Sequence, residues 1–381
     1  LTHVEDHVFD GHDGVATADS HLMGLHDTLS GKKSSLHVSD KWDGAPSVVF
    51  GKDPDSGHFF VASKSAFNKN PKLNFTPEDI ERNHGHAPGL VEKLKWALKY
   101  LPSIMPKGGG VFQGDIMHAP GDVEKKGGMY SMTPNTITYS AAADSVEGRN
   151  MRKPFGIVVH TQYGRGRDLQ SMDAEPLSDK QREKFDKHPD VNNIDPTIKI
   201  NPSNYTPEEQ KAFLNHMENA RRTYASMKPE SMDAIAGHGP NLEAHINNTI
   251  KTGETPSVQG YMDHLTAKNQ KDIEKVKTQA AKDKKIQAHA TVLKHISDNR
   301  NHFDKLLQTH SHLQNAKNIL VGVMAKNSDY GHSIAGEPTG PEGAVGVDKQ
   351  GNMSKFVNRQ EFSRNNFLRG KIQQMKAQQN A

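Results

Sequence analysis

Short runs of β-branched and aromatic residues, bounded by Gly, Pro or Asp, mark residues 1 to about 163. They fall at 47–51, 58–62, 110–114, 136–139 and 156–160. Runs of this length predict strands, because such side chains pack well on a pleated surface. Asp53-Pro54-Asp55-Ser56-Gly57 separates the first two runs and predicts a hairpin turn. One helix is predicted here, from Ala87 to about Tyr100, where Leu90, Leu94, Ala97, Leu98 and Leu101 recur at helical spacing.

From about residue 164 to 330 the pattern turns helical. Thr206-Pro207-Glu208-Glu209 has the form of a capping box with Pro at the first helical position, predicting a helix to about Met227. Thr255-Pro256 opens a long helical pattern to about Asn299, and a third helix is predicted from about Arg300 to Met324. β texture then returns. Residues 343–347 and 353–357 flank Asp348-Lys349-Gln350-Gly351-Asn352, a hairpin with a five-residue turn. The pattern therefore predicts an α+β protein: a β-rich part (1–163), a helical insertion (164–330), a closing hairpin (331–367) that rejoins the first part, and a basic, Gln-rich helical tail (368–381). No internal repeat is evident.

Composition narrows the classes. A chain of 381 residues has room for two or three structural units. With 24% charged residues and a net charge of +3 it lacks the signature of a disordered chain. No run of about 18 apolar residues predicts a membrane span, and the polar, acidic start lacks a secretory hydrophobic region, so a cytoplasmic location is expected. The absence of cysteine excludes disulfides, thiol nucleophiles and Cys-based metal sites. The 22 histidines are scattered singly, and most are expected to hold no metal. Lys268, Lys271, Lys275, Lys277, Lys282, Lys284 and Lys285 make one long helix basic. That helix reads either as a solvated face or as a track for a polyanion.

The most informative segment is Ser39-Asp40-Lys41-Trp42-Asp43-Gly44-Ala45-Pro46-Ser47, with Lys-x-Asp-Gly just before a strand. A lysine is a nucleophile only when its amine is unprotonated, a state favoured by desolvation and by a nearby cation. Lys41 before a strand, with an acid two residues on and a glycine permitting close approach, suits attack on a phosphate. A plain turn carrying a surface lysine is the bland reading of the same four letters.

Further segments match in order. Lys64 lies in Ala62-Ser63-Lys64-Ser65; Gly114-Asp115 ends a strand; residues 154–161 form a strand reaching His160; Pro341-Glu342-Gly343-Ala344-Val345 follows; Lys355 lies on the last strand, with Arg359 beyond. The series resembles the covalent nucleotidyltransferase superfamily of ATP-dependent DNA and RNA ligases and mRNA capping enzymes. The resemblance implies that Lys41 takes the nucleotide as a phosphoramidate. It implies a nucleotide site of Asp40, Asp43, Gly44, Lys64, Asp115, His160 and Lys355, with Asp115 and Glu342 holding Mg²⁺. The sequence departs from the family in three places. Asp115 stands where the family carries Glu, the strand at 154–161 lacks the family's Asp, and Lys355 has no second lysine two positions on.

The resemblance implies ATP and Mg²⁺ as cofactors, a ligase-type fold of antiparallel sheets, and RNA or DNA ends or nicks as partners. Little chain follows the last motif, so the OB-fold of capping enzymes and many DNA ligases is not expected, and an RNA-ligase-like layout with a helical unit is favoured. The texture, rich in Asn, Gln, His and Lys, is similar to that of large tailed-phage proteins, which implies the host cytoplasm or a virion. Two competing readings stand beside the enzyme. One is a catalytically decayed ligase fold serving as a binding or virion-associated structural protein. The other is a helical polyanion-binding module with an incidental Lys-x-Asp-Gly.

Overall fold

The structure, a computed structural model, describes residues 1–363. β1 (Thr2–His3) and a 3-10 turn (Val4–Asp10) lead into α1 (Gly11–Leu29). Then come β2 (His37–Lys41), β3 (Ser47–Lys52), β4 (Phe59–Ala62), α2 (Pro77–His84) and α3 (Pro88–Tyr100). β5 (Val111–His118), β6 (Glu124–Lys126), β7 (Met129–Met132), β8 (Thr138–Ala142) and α4 (Val146–Met151) precede β9 (Phe155–Gly164), β10 (Asp173–Pro176), α5 (Asp179–Arg182) and β11 (Val191–Asn193). The helical stretch is α6 (Pro207–Ala225), α7 (Pro229–Ile235), α8 (Gly239–Thr252), α9 (Val258–Glu274), α10 (Gln279–Asp298) and α11 (Arg300–Lys326). β12 (Gly331–Ile334), β13 (Glu337–Pro338), β14 (Gly343–Val347) and β15 (Met353–Val357) close the chain. The protein is α+β. No helix among the described residues is long and apolar enough to cross a membrane.

The chain divides into two compact units, each assembled from separated segments. The first comprises Leu1–Ser39, Lys199–Asn327 and the chain from Gly343; the second comprises Asp40–Ile198 and Ser328–Glu342. These limits correct the expected boundaries. The first 39 residues belong with the helices and not with the β-rich part. The helical stretch starts near residue 199 and not 164, because residues 164–198 still carry β10 and β11. The expected tail, 368–381, lies outside the described residues.

In the first unit β14 and β15 form the antiparallel hairpin the turn residues predict, paired from Gly343–Val357 to Val347–Met353. β15 pairs in parallel with β1, and the sheet runs β1-β15-β14-β2. α1 has a buried stripe of Ala18, His21, Leu22, Leu25, His26 and Leu29, at the spacing of one helix face. His21 ties this helix to the hairpin: its Nδ1 lies 2.7 Å from Ser354 Oγ and its Nε2 lies 3.0 Å from Asp348 Oδ2. The capping box at Thr206 forms, with Glu209 N–H donating to Thr206 Oγ1 at 3.2 Å. The helical pattern expected over 255–299 is two helices, because Thr278 caps a fresh start after residues 275–277.

Five ionisable side chains lie inside this unit. Lys317 Nζ donates to Glu5 Oε1 at 2.6 Å, and His310 Nε2 lies 2.8 Å from Asp6 Oδ1. Arg359 reaches both acids, with Nε 3.3 Å from Glu5. Burial pushes the Glu5 carboxyl up, but Lys317 and Arg359 more than offset this and hold it below the usual range. Glu5, Asp6 and His310 have the spacing of metal ligands. With two cations already on the carboxylates, a third has no electrostatic reason to enter. Removing one partner from a buried pair leaves an uncompensated charge, so Lys317→Met is expected to lower stability by about 3–5 kcal/mol. Urea unfolding of the variant against the parent reads this directly. A loss under about 1 kcal/mol would show that the cluster is not sealed from water.

Candidate functional site

The second unit contains two sheets. One runs β10-β9-β5-β3-β4 with antiparallel neighbours, and β11 adds to β9 in parallel. The other runs β13-β12-β8-β7-β6, antiparallel throughout. Alternation along β3 and β5 separates the faces of the first sheet. Val48, Phe50, Phe112 and Ile116 pack with Leu94 and Ala97 of α3. Val49, Phe60, Ala62 and Val111 form an apolar patch on the other face. On that face, towards the end where β3 begins, the side chains turn polar. Ser47 sits opposite Asp115, and Gln113 donates to Ser47 Oγ at 2.8 Å and accepts from the Tyr163 hydroxyl at 2.5 Å.

The Lys41 loop enters at this polar end. Lys41 closes β2, and its Nζ donates to Glu342 Oε1, a partner 301 residues away. The loop continues onto β5: Ala45 N–H donates to the Ile116 carbonyl at 3.1 Å, and Ile116 N–H donates back to the Pro46 carbonyl at 3.0 Å. This close approach explains Gly44. A Cβ there would stand 2.6 Å from Asp115 Cβ and 2.9 Å from Met117 Sδ.

Asp43 holds the loop in place. Its carboxylate accepts from Asn135 Nδ2 and from the backbone N–H groups of Thr136 and Ile137, all at 2.8 Å, and its own N–H donates to the Tyr139 hydroxyl at 2.8 Å. A buried carboxylate so engaged is an anchor. Through these bonds Asp43 fixes the backbone on either side of Trp42. Trp42 packs against Tyr139 and Tyr330, with ring centroids 4.8 and 5.1 Å away. Burial holds the Tyr139 hydroxyl well above its ordinary range, so it stays protonated.

Glu342 is the most informative acid. Burial pushes its carboxyl up, Lys41 partly offsets this, and Asp43 and Asp115 push it up further. Its side chain is 10% exposed, and its second oxygen, Oε2, is buried with no hydrogen-bond partner among the described residues. An orphaned carboxylate oxygen near Asp115 is the donor chemistry a hard divalent cation takes. The residues present fit Mg²⁺ in that respect. Gly343, the next residue, has φ +143°, and a Cβ there would stand 1.8 Å from the Phe356 carbonyl, so the Glu-Gly pair is sterically required.

The other expected residues fall as follows. Asp40 lies close enough for its charge to act on Tyr139. Asp115 is half-buried, with His160 Nε2 3.4 Å from its carboxylate. The His160 Nδ1 lies 2.8 Å from Thr161 Oγ1, so this ring faces the acid instead of standing alone for stacking. Lys64 is exposed at the start of the 3-10 turn Lys64–Phe67, two positions past the last β3–β4 pair, Val49–Ala62, at the Ser47 end. Lys355 belongs to the first unit, where His3 and Glu243 feel its charge. Within the second unit the sheets thus gather Lys41, Asp43, Asp115, His160 and Glu342. Sequence reasoning missed Tyr139 and Asn135. The run 136–139 read only as a strand, and the signal was the polar Asn135 beside it.

The chain belongs to a family of unknown function, DUF6267, whose profile matches residues 1–371. No curated protein and no solved structure matches it.

Two predictions follow from this geometry. Gly44→Ala is expected to lose about 1–3 kcal/mol through overpacking against Asp115 and Met117, measured by urea unfolding. An unchanged midpoint would mean that the loop does not hug β5. The second concerns pH. Burial lowers His118 and His332 from an ordinary 6.5 to about 4. Each takes up a proton more readily unfolded than folded. Their contribution is complete above about pH 6.5 and disappears as pH falls towards 4. With a discount for partial exposure, each is worth roughly 1–3 kcal/mol. Unfolding midpoints at pH 7 and pH 5 should differ more for the parent than for His332→Phe. Equal differences would place His332 in water.

Proposed function

We propose that the protein is an ATP-dependent nucleotidyltransferase of the polynucleotide-ligase type, with Lys41 as the residue that carries AMP. The observation that carries this reading is the meeting of Lys41 and Glu342 at the polar end of β3 and β5. The first residue of the Lys-x-Asp-Gly segment and the acid of the Glu-Gly segment have no reason to meet in an incidental turn. Asp115 and His160, from two further segments of the series, flank the same place. On this reading the antiparallel sheets of the second unit are a ligase-type core, and the helices of the first are its accessory.

The chemistry then assigns roles. Lys41 Nζ attacks the α-phosphorus of ATP; a P–N bond forms, the Pα–O bond to pyrophosphate breaks, and the amine proton leaves to solvent. Glu342 Oε2 and Asp115 would hold Mg²⁺, which would supply charge withdrawal from the phosphate oxygens and favour a neutral Lys41 amine. Lys64 supplies positive charge to the phosphates, and Asp40 and Gly44 line the nucleotide site. Asp43, Tyr139 and Asn135 keep the loop from moving as the nucleophile is used. The AMP passes to a 5′-phosphate at an RNA or DNA end or nick, and a 3′-hydroxyl displaces it. A phage-encoded enzyme would act in the host cytoplasm.

Denaturing gels after incubation with α-labelled ATP and Mg²⁺, on protein first stripped of AMP by pyrophosphate, test this reading. Acid-labile label is expected on the parent and none on Lys41→Ala. Lys41→Arg should also be inactive, because a guanidinium keeps its proton. Asp115→Asn and Glu342→Gln should lose about 10²-fold or more.

The engagement of Asp115 by His160 favours a second reading, a ligase fold that no longer turns over and serves as a binding or virion-associated protein. Absence of label with any nucleotide decides for that reading.

A further inference from the structure

α9 and α10 form a helical hairpin whose outer part contributes nothing to the core of the first unit. Its buried residues stand at the base: Val258, Tyr261 and Leu265 on α9 and Ile296 on α10. From residue 266 to 295 no side chain is buried. A hydrogen bond between Thr266 Oγ1 and His289 Nε2, 3.0 Å apart, ties the two helices together. A helix pair that is polar all round gains little from packing, so its composition is free to serve something else.

That composition is strongly one-sided. Residues 268–285 hold seven lysines against three acids, a local net charge of +4. The whole chain carries +3, so the remainder sums to −1. Part of the local charge is answered internally. Asp272 lies 3.2 Å from Lys275 and feels Lys268 and Lys285. Lys271, Lys277, Lys282 and Lys284 make no ion pair among the described residues. Helix electrostatics separates these lysines further. Lys271 lies in the last turn of α9, where a helix C-terminus welcomes a cation. Lys282 lies in the first turn of α10, which carries no acidic residue. A cation there works against the helix dipole, and Lys284 repeats the sign two positions on. Folding alone gives no reason for that placement.

We propose that the tip of this hairpin, Lys277, Lys282 and Lys284, is a docking arm for the phosphate backbone of a nucleic acid. The chemistry of the arm selects this partner over other polyanions. Residues 266–299 contain no Arg, Trp, Tyr or Phe. Protein interfaces draw their affinity from such anchors, and amphipathic membrane helices insert large apolar side chains. The arm exposes only Ile286 and Val292, six positions apart and on different sides of α10. Flexible lysines that present point charges to evenly spaced phosphates need no anchors and read no sequence. The inference rests on the polynucleotide reading of the site for its biological sense, and its test is independent of nucleotidyl transfer.

The test measures binding of the full-length chain to labelled single-stranded RNA and nicked duplex DNA by anisotropy, between 50 and 200 mM salt, without ATP. The variant is the triple Lys277→Gln, Lys282→Gln, Lys284→Gln. All three positions lie outside the core, and an unchanged thermal midpoint checks that the fold is kept. The parent should lose about 100-fold in affinity across that salt range, as four phosphate contacts to a duplex require. The triple variant should bind at least about tenfold more weakly at 100 mM salt, with a log–log salt slope shallower by about 2 to 3. Lys41→Ala should bind as the parent does, so loss of adenylylation and loss of docking report on separate claims. Parent protein that binds no nucleic acid at 50 mM salt overturns the proposal. So does equal binding by the triple variant, or capture by anionic vesicles or polyglutamate in preference to nucleic acid.

Discussion

The second unit is organised around one ion pair, Lys41 with Glu342. The two residues are 301 positions apart, and neither belongs to the regular part of the main sheet of that unit. Bringing an ammonium to a carboxylate that is nine-tenths buried needs both backbones fixed on each side. At Lys41 this is done by Asp43, whose carboxylate takes three donors, and by Gly44, which lets the loop lie against β5. At Glu342 it is done by Gly343, where any side chain would strike the Phe356 carbonyl. The letters of the two short motifs thus divide by task. Asp43, Gly44 and Gly343 place the chain, and Lys41 and Glu342 are the groups so brought together.

The first unit meets a similar demand by other means. Its three segments come from the start, the middle and the end of the chain. Glu5 and Asp6 stand in the first turn of structure, Lys317 and His310 on α11, and Arg359 just beyond β15. Each segment alone would bury an unbalanced charge. Together two acids meet a lysine, an arginine and a histidine, and the register between segments is fixed by which charge finds which partner. His21, bonded to Ser354 and Asp348, repeats the device between α1 and the hairpin.

Much of this was legible in the sequence. The strands around 48, 60, 112 and 157, the helix at 88–100, the capping box at Thr206 and the closing hairpin all follow from local pattern, because turn chemistry and side-chain alternation act over a few residues. The convergence of Lys41, Asp115, Glu342 and Lys355 was expected only through resemblance; the first three belong to the second unit and Lys355 to the first. Helix α1 went unread because two positions of its buried stripe are His21 and His26, counted as polar although both are buried. The boundary at residue 164 failed because residues 164–198 lack strong β runs, yet β10 and β11 there are held by pairing with β9. The anchoring of Asp43 was hidden because its donors, Asn135, Thr136 and Ile137, lie more than 90 residues away and two of them are backbone groups.

The distribution of charge gives the last constraint. Asp40, Asp43, Asp115 and Glu342 act electrostatically on one region of the second unit, where Lys41 pairs with Glu342 and His160 lies beside Asp115. The Asp43 carboxylate is occupied by three donors, whereas Glu342 Oε2 is buried without a hydrogen-bond partner among the described residues. A carboxylate-rich region of this kind favours a cation over a bare phosphate group, which is the electrostatic reason that the proposed reading pairs metal with phosphate. The concentrated lysines of the other unit, spread along an exposed hairpin with no acid cluster to shield them, are suited to many phosphates at once. The proposed centre, where acids would favour a cation beside a phosphate, and the proposed arm, where lysines would meet a row of phosphates, set opposite charges apart in a chain that is, in total, nearly neutral.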